Sequence, residues 1–165
     1  MASSDLYSVA QIRELDRIVI EQYDISGYEL MQRAGRFSYE TLKETWPETH
    51  NISVICGSGN NAGDGYVLAR LAIEDGKHVK IFYCFSPEML KGDAKRAYQE
   101  LAILDPGFID ITLESRNEWG WYESPLYTDL LENYAEDEEP YHVQVVVDAI
   151  FGTGLTRDID DIELI

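Results

Sequence analysis

Val9, Ile12, Leu15 and Val19 recur at intervals of three and four behind Ser8, which has Gln11 three residues on. The serine hydroxyl can accept from the backbone of the third helical residue while the glutamine reaches back, so the pattern predicts an amphipathic helix to about Glu21. Ser26 and Glu29 repeat the arrangement. Behind them Leu30, Ala34, Phe37 and Leu42 predict a second helix that ends before Pro47. Two helices thus precede any strand. Ile52-Ser-Val-Ile-Cys56 is short and apolar, as a buried parallel strand should be. A glycine-rich turn follows, and Val67, Leu68, Leu71 and Ala72 then trace a helix closed by Gly76. Val79 to Phe85 reads as the second strand, Asp93 to about Leu104 as a helix stopped before Pro106, and Phe108 to Leu113 as a further strand. From Arg116 to Pro140 the chain is aromatic and acidic; a short helix around Leu126–Tyr134 and a surface loop at Glu136–Glu139 are expected. Val143 to Ala149 is the last strand, before a second glycine turn. Strands alternating with helices predict an α/β fold with a parallel sheet and helices on both faces.

Composition changes this picture little and charge changes it more. A chain of 165 residues is long enough for one sizeable core, so a single domain over residues 1–165 is expected. Thirteen Lys+Arg against 31 Asp+Glu leave a net charge of −18. Binding to a phosphate backbone needs clustered cations, and none is present, so nucleic acid and anionic membrane surfaces are excluded as partners. Cys56 and Cys84 fall inside predicted strands, where a thiol acts as a small hydrophobe. Two cysteines make no disulfide framework, the first residues lack a signal-peptide pattern, and no apolar run approaches a bilayer span; a cytoplasmic protein is the expectation.

The candidate chemistry sits in the two glycine turns. Gly57, Gly59 and Ala62 satisfy G-x-G-x-x-A between a strand and a helix, a spacing that brings backbone close to an anion. The acidic residue that would hold a ribose at the end of the second strand is missing; that strand ends Tyr83-Cys-Phe-Ser-Pro87, which disfavours a hydride-transferring dehydrogenase. Asn60, Asn61 and Asp64 add three oxygen-bearing side chains at the carboxyl end of a strand, more than capping a helix requires. In the second turn Asp148 ends an almost wholly apolar strand. A carboxylate buried there either takes backbone N–H bonds or faces a hard cation, to which Asn61 would add an oxygen if the two strands are neighbours. Gly152, Thr153 and Gly154 supply backbone for a phosphate or ribose.

Leu30-Met-Gln-Arg-Ala-Gly35, Asn60-Asn-Ala-Gly-Asp-Gly65 and Asp148-Ala-Ile-Phe-Gly-Thr-Gly-Leu155 together resemble the NAD(P)H-hydrate epimerases, the YjeF N-terminal domain family. Leu90-Lys-Gly-Asp-Ala94 is similar to its bacterial members. The resemblance implies a Rossmann-like three-layer α/β/α sandwich with two N-terminal helices. It also implies a homodimer and an isomerase that interconverts the R and S forms of hydrated NADH and NADPH, with a fused or separate dehydratase as partner. By similarity, Asn60, Asn61, Ala62, Gly63 and Asp64 contact the hydrate. Gly152, Thr153, Gly154, Leu155, Thr156, Arg157 and Asp158 form the second substrate loop, and Asn61 and Asp148 ligate potassium. Ala62 departs from the family, which has glycine there.

The family also continues to a V-D-I-P-S-G strand that carries its proposed acid/base aspartate. This chain ends Asp160-Asp-Ile-Glu-Leu-Ile165 without it, so the domain is expected to be truncated at its C-terminal end and its catalytic residue is left open. Epimerisation needs a hydroxyl to leave and return, or a ring to open and reclose, and either route needs a positioned acid/base. His50, His78 and His142 lie at the amino ends of strands, away from the ligand edge, and are set aside. The alternative reading is a non-catalytic ligand- or protein-binding module of the same fold.

Overall fold

The computed structural model describes residues 6–104, 110–112 and 144–155. Helices α1 (Val9–Gln22) and α2 (Gly27–Thr45) come first, followed by β1 (Asn51–Cys56), α3 (Asn60–Glu74) and β2 (His78–Tyr83). A 3-10 turn at Pro87–Met89 then leads to α4 (Gly92–Leu104), β3 (Asp110–Thr112) and β4 (Val145–Ala149). All pairings are parallel, in the order β3-β2-β1-β4. The steps β1-α3-β2 and β2-α4-β3 run in one direction. Right-handed crossovers therefore place α3 and α4 on the same face of the sheet. The chain then returns to the other side of β1, so the α/β Rossmann-like arrangement holds. The expected helix at Leu126–Tyr134 and the loop at Glu136–Glu139 lie outside the described residues.

Local chemistry accounts for the element starts. Ser8 and Gln11 complete the reciprocal capping box of α1. At α2 only half of the expected box forms: Ser26 Oγ accepts from the Glu29 amide at 3.1 Å, while the Glu29 carboxylate accepts from Arg33 at 2.5 Å. Gly76, at φ 75°, takes the left-handed turn that stops α3. The second strand is shorter than Val79–Phe85, since Ser86 caps the 3-10 turn and pulls the chain out of the sheet. No described helix is long and apolar enough to cross a membrane.

The core forms where α3 lies on the sheet. Ile52, Val54, Cys56 and Ile81 are fully buried beneath Ala69, Ala72 and Tyr66. Burying each large apolar side chain contributes roughly 1.5–3 kcal/mol. Tyr66, Tyr83 and Tyr98 pack their rings tilted and edge-to-face, at centroid distances of 6.2 Å (Tyr66–Tyr83), 5.5 Å (Tyr66–Tyr98) and 6.2 Å (Tyr83–Tyr98), filling the wedge between α3, α4 and β2. Both cysteines are free and buried, and burial pushes Cys84 up to about 11 and Cys56 higher still, so neither thiol is reactive. α1 has no buried residue; Val9, Ile12 and Leu15 of its apolar stripe are exposed.

Candidate functional site

The carboxyl ends of β1 and β4 lie side by side, with Cys56 paired to Ala149. The Gly57 amide donates to the Ala149 carbonyl at 3.1 Å, carrying the ladder one step into the glycine turn. A Cβ at Gly57 would land on the Ile150 carbonyl oxygen, so only glycine lets the two turns lie this close. Asn61 joins them again, its Nδ2 donating to the Phe151 carbonyl at 3.1 Å. The residues of the two motifs thus form one crevice at the ligand edge of an open parallel sheet.

The first motif is not a turn throughout. Asn60 to Gly65, expected to precede the helix, are the first turns of α3. Asparagine and glycine are weak helix formers, and packing overrides that preference. A Cβ at Gly63 would run into the Met31 side chain and Ala94, and one at Gly65 would come within 2.7 Å of the Ala149 methyl. The glycines therefore let α3 begin in contact with α2, α4 and β4. The Met31 and Gly35 motif of α2 is the surface against which this glycine-rich start is seated. Gly59, the N-cap residue, offers no side-chain cap, and the first amide to find a helical partner is that of Gly63. The N-terminus of α3 opens at the crevice with the partial positive charge that favours an anion.

Helix α1 reaches the second turn through Arg13, and nothing in the sequence pattern pointed to it. Arg13 Nη2 donates to the Thr153 carbonyl, tying α1 to the second turn. Asp16, one turn further along the same face, acts electrostatically on Asp64. Burial first, and Asp16 second, push the Asp64 carboxyl from 3.8 up to about 7. A carboxyl whose folded pKa is raised favours folding below its unfolded value and loses that contribution as pH rises through the folded one. Asp64→Asn is therefore expected to match the parent's melting temperature near pH 4 and to exceed it above pH 7. Equal melting temperatures at both pH values would show that Asp64 is not strained by ionisation.

The sequence-predicted residues separate on this framework. Asn61 and Gly152 meet directly, since a Cβ at Gly152 would lie 3.0 Å from that of Asn61. Asn60 is exposed and Asp64 half-buried, whereas Ala62 and Gly63 are buried, so their side-chain positions face the interior. Asp148 corrects the expectation of a buried carboxylate. It is exposed, and its Oδ1 accepts from the Ile150 amide at 3.0 Å. The cause is position: β4 ends the described sheet, and Val146 and Asp148 point to the face away from α3, where Val146 is 50% exposed. Thr153, Gly154 and Leu155 form the outer rim of the second turn, whereas Thr156, Arg157 and Asp158 lie outside the described residues.

Comparison with known proteins bears on this crevice. The family described as YjeF-related protein N-terminus matches residues 27–165. The bifunctional NAD(P)H-hydrate repair enzyme Nnr of Coxiella burnetii is 50% identical over 154 residues, covering 93% of this chain and 26% of its own length. An NAD(P)H-hydrate epimerase of Legionella pneumophila is 30% identical over 153 residues, covering 91% of this chain and 49% of its own. The chain thus spans from about a quarter to about half of these relatives. The crystal structure of the yeast protein ynu0 superimposes with a TM-score of 0.66 at 23% identity, over 95% of this chain and 60% of that one, which shows the shared fold.

Proposed function

The chain belongs to the YjeF-related protein N-terminus family, and from that premise we propose that it acts as an NAD(P)H-hydrate epimerase. It interconverts the R and S forms of hydrated NADH and NADPH in nicotinamide cofactor repair. The observation that carries this reading is the Asn61–Phe151 hydrogen bond, which makes one crevice of the β1 and β4 ends. Its open helix N-terminus suits the substrate's phosphates, and its glycine turns allow backbone approach to the sugar. Asn60, Asn61, Asp64 and residues 152–158 are the contacts on this reading, together with the backbone of Ala62 and Gly63. Relatives named as epimerases and as bifunctional repair enzymes support an enzyme, and no observation favours the non-catalytic module.

By the chemistry of the crevice's oxygens, potassium is the proposed cation. The exposed Asp148 carboxylate and the Asn61 amide oxygen, beside backbone carbonyls of the second turn, are the hard oxygen ligands such a cation takes. Bound there, the ion would supply positive charge beside the substrate in a strongly acidic chain. A dehydratase, fused as in the bifunctional relatives or separate, is the proposed consumer of the S form. A homodimer is proposed from the exposed apolar face of α1; a monomer mass in sedimentation equilibrium would count against it.

The test starts from a single epimer of NADPHX and follows the R:S ratio by HPLC. Equilibration faster than the spontaneous rate, and faster with potassium than with lithium, is expected. Asp148→Asn retains an oxygen for the Ile150 amide while losing its charge. It should keep the parent's melting temperature and lose activity by roughly 10–100-fold, the range seen when groups around a metal are replaced. No acceleration over the spontaneous rate would refute the epimerase, and an unchanged potassium response in the variant would refute the cation site.

A further inference from the structure

Helix α1 carries two arginines, and the fold uses them differently. Arg17 is pinned between Glu14 and Glu21. Arg33, Arg70 and Arg96 on the other helices each pair with a glutamate four residues away. Arg13 has no carboxylate partner among the described residues; Asp16, three residues on, acts on Asp64 and forms no ion pair with it. The described bond of Arg13 runs instead from Nη2 to the Thr153 carbonyl. A carbonyl oxygen orients a guanidinium without neutralising it, and one such bond leaves most of the planar fork's N–H donors for other acceptors. That bond also fixes where the charge stands. Thr153 follows Gly152, which lies against Asn61 at the start of α3. The guanidinium is thus held at the rim where the two turns meet, near the helix end whose unpaired amides favour an anion. A chain with a net charge of −18 repels a polyanion at long range, so a cation left uncompensated at the crevice has a clear use.

We propose that Arg13 is a substrate-binding residue that takes a phosphate of the hydrated dinucleotide, with the Thr153 carbonyl holding its guanidinium in place. The inference rests on the epimerase reading above and deepens it, since it gives α1 a part in recognising the substrate. A guanidinium offers two parallel N–H bonds to a phosphate, a match that an ammonium or a backbone amide does not make. The phosphates lie several bonds from the reacting ring carbon. A contact to them is made equally in the ground and transition states, so it lowers KM and leaves kcat nearly unchanged. The same contact separates substrates by their phosphates. Hydrated reduced nicotinamide riboside carries the reacting ring and no phosphate, and Arg13 has nothing to bind on it.

The experiment measures R–S interconversion of NADPHX and of hydrated reduced nicotinamide riboside by the parent, Arg13→Gln and Arg13→Lys. Arg13→Gln keeps a donor for the Thr153 carbonyl and loses the charge. Its KM for NADPHX should rise roughly 10–100-fold, the range for a charged hydrogen bond, with kcat within a few-fold of the parent's. On the riboside its kcat/KM should match the parent's, and Arg13→Lys should recover part of the loss on NADPHX. Arg13 is exposed, so both variants should keep the parent's melting temperature. A loss of equal size on both substrates would show that Arg13 only holds the second turn, and would overturn the phosphate contact while leaving the epimerase standing. An unchanged KM for NADPHX in Arg13→Gln would do the same. A parent with no turnover of NADPHX would overturn the epimerase reading and this one with it.

Discussion

Replacing Gly57 by valine is expected to abolish detectable epimerisation and to lower the melting temperature by on the order of 10 °C. The added Cβ would occupy the place of the Ile150 carbonyl oxygen, with the Ile150 carbonyl carbon and Cα 3.0 and 3.2 Å away. All three are backbone atoms, so no rotamer change relieves the clash. The second turn must move off β1. That movement breaks the hydrogen bond from the Gly57 amide to Ala149 and the one from Asn61 to Phe151. Overpacking costs about 1–3 kcal/mol and each lost bond about 1 kcal/mol. For a chain of this size each kcal/mol is worth roughly 2–4 °C. Calorimetry and the HPLC assay check both parts. A variant with parental melting temperature and turnover would mean that the two turns do not need this approach.

Gly35→Leu should damage the same site from behind. A Cβ at Gly35 would lie 2.6 Å from Val67 Cβ, 2.7 Å from its Cγ1 and 2.8 Å from the Asp64 carbonyl. Leucine is the better helix former by almost 1 kcal/mol, so an exposed glycine in a helix would gain by the change. Here the gain is outweighed, because Val67 is held by the core and the Asp64 carbonyl by α3. The expected loss is about 3 kcal/mol, the upper end for an overpacked interface. The displacement of α3 should also slow turnover, since it moves Asp64. Urea denaturation measures the first effect. Stabilisation by the leucine would show that α2 and α3 are not in close contact at this point.

These two glycines show which parts of the molecule were legible in the sequence. Periodicity and caps are local signals, and they located the described helices and strands to within a few residues, except for the start of α3 and the 3-10 turn at Pro87–Met89. Ser8 with Gln11 is the clearest case. Whether the strands before Asn61 and at Asp148 are neighbours was left open by the motifs, and the pairing of β1 with β4 settles it. The misreadings arise where distant contacts decide. Asn60 to Gly65 have poor helix propensity, and only Met31, Ala94 and Ala149, pressing on Gly63 and Gly65, explain why a helix begins there. Asp148 was expected to be buried because its neighbours are valines, yet β4 ends the described sheet and leaves one face of the strand open. Arg13 and Asp16 gave no signal, since a polar helix face beside exposed apolar residues reads as solvated surface. The bond from Arg13 spans 140 residues of sequence, and no local pattern encodes it.

On the epimerase reading, both glycine segments and the Arg13 turn of α1 belong to a single ligand site. Amide hydrogen exchange with and without NADPHX, in potassium buffer, tests it most directly. Bound hydrate is expected to slow exchange together at residues 59–63, at residues 150–155 and along the Arg13–Asp16 turn of α1. Protection confined to one glycine segment, or none at α1, would contradict it.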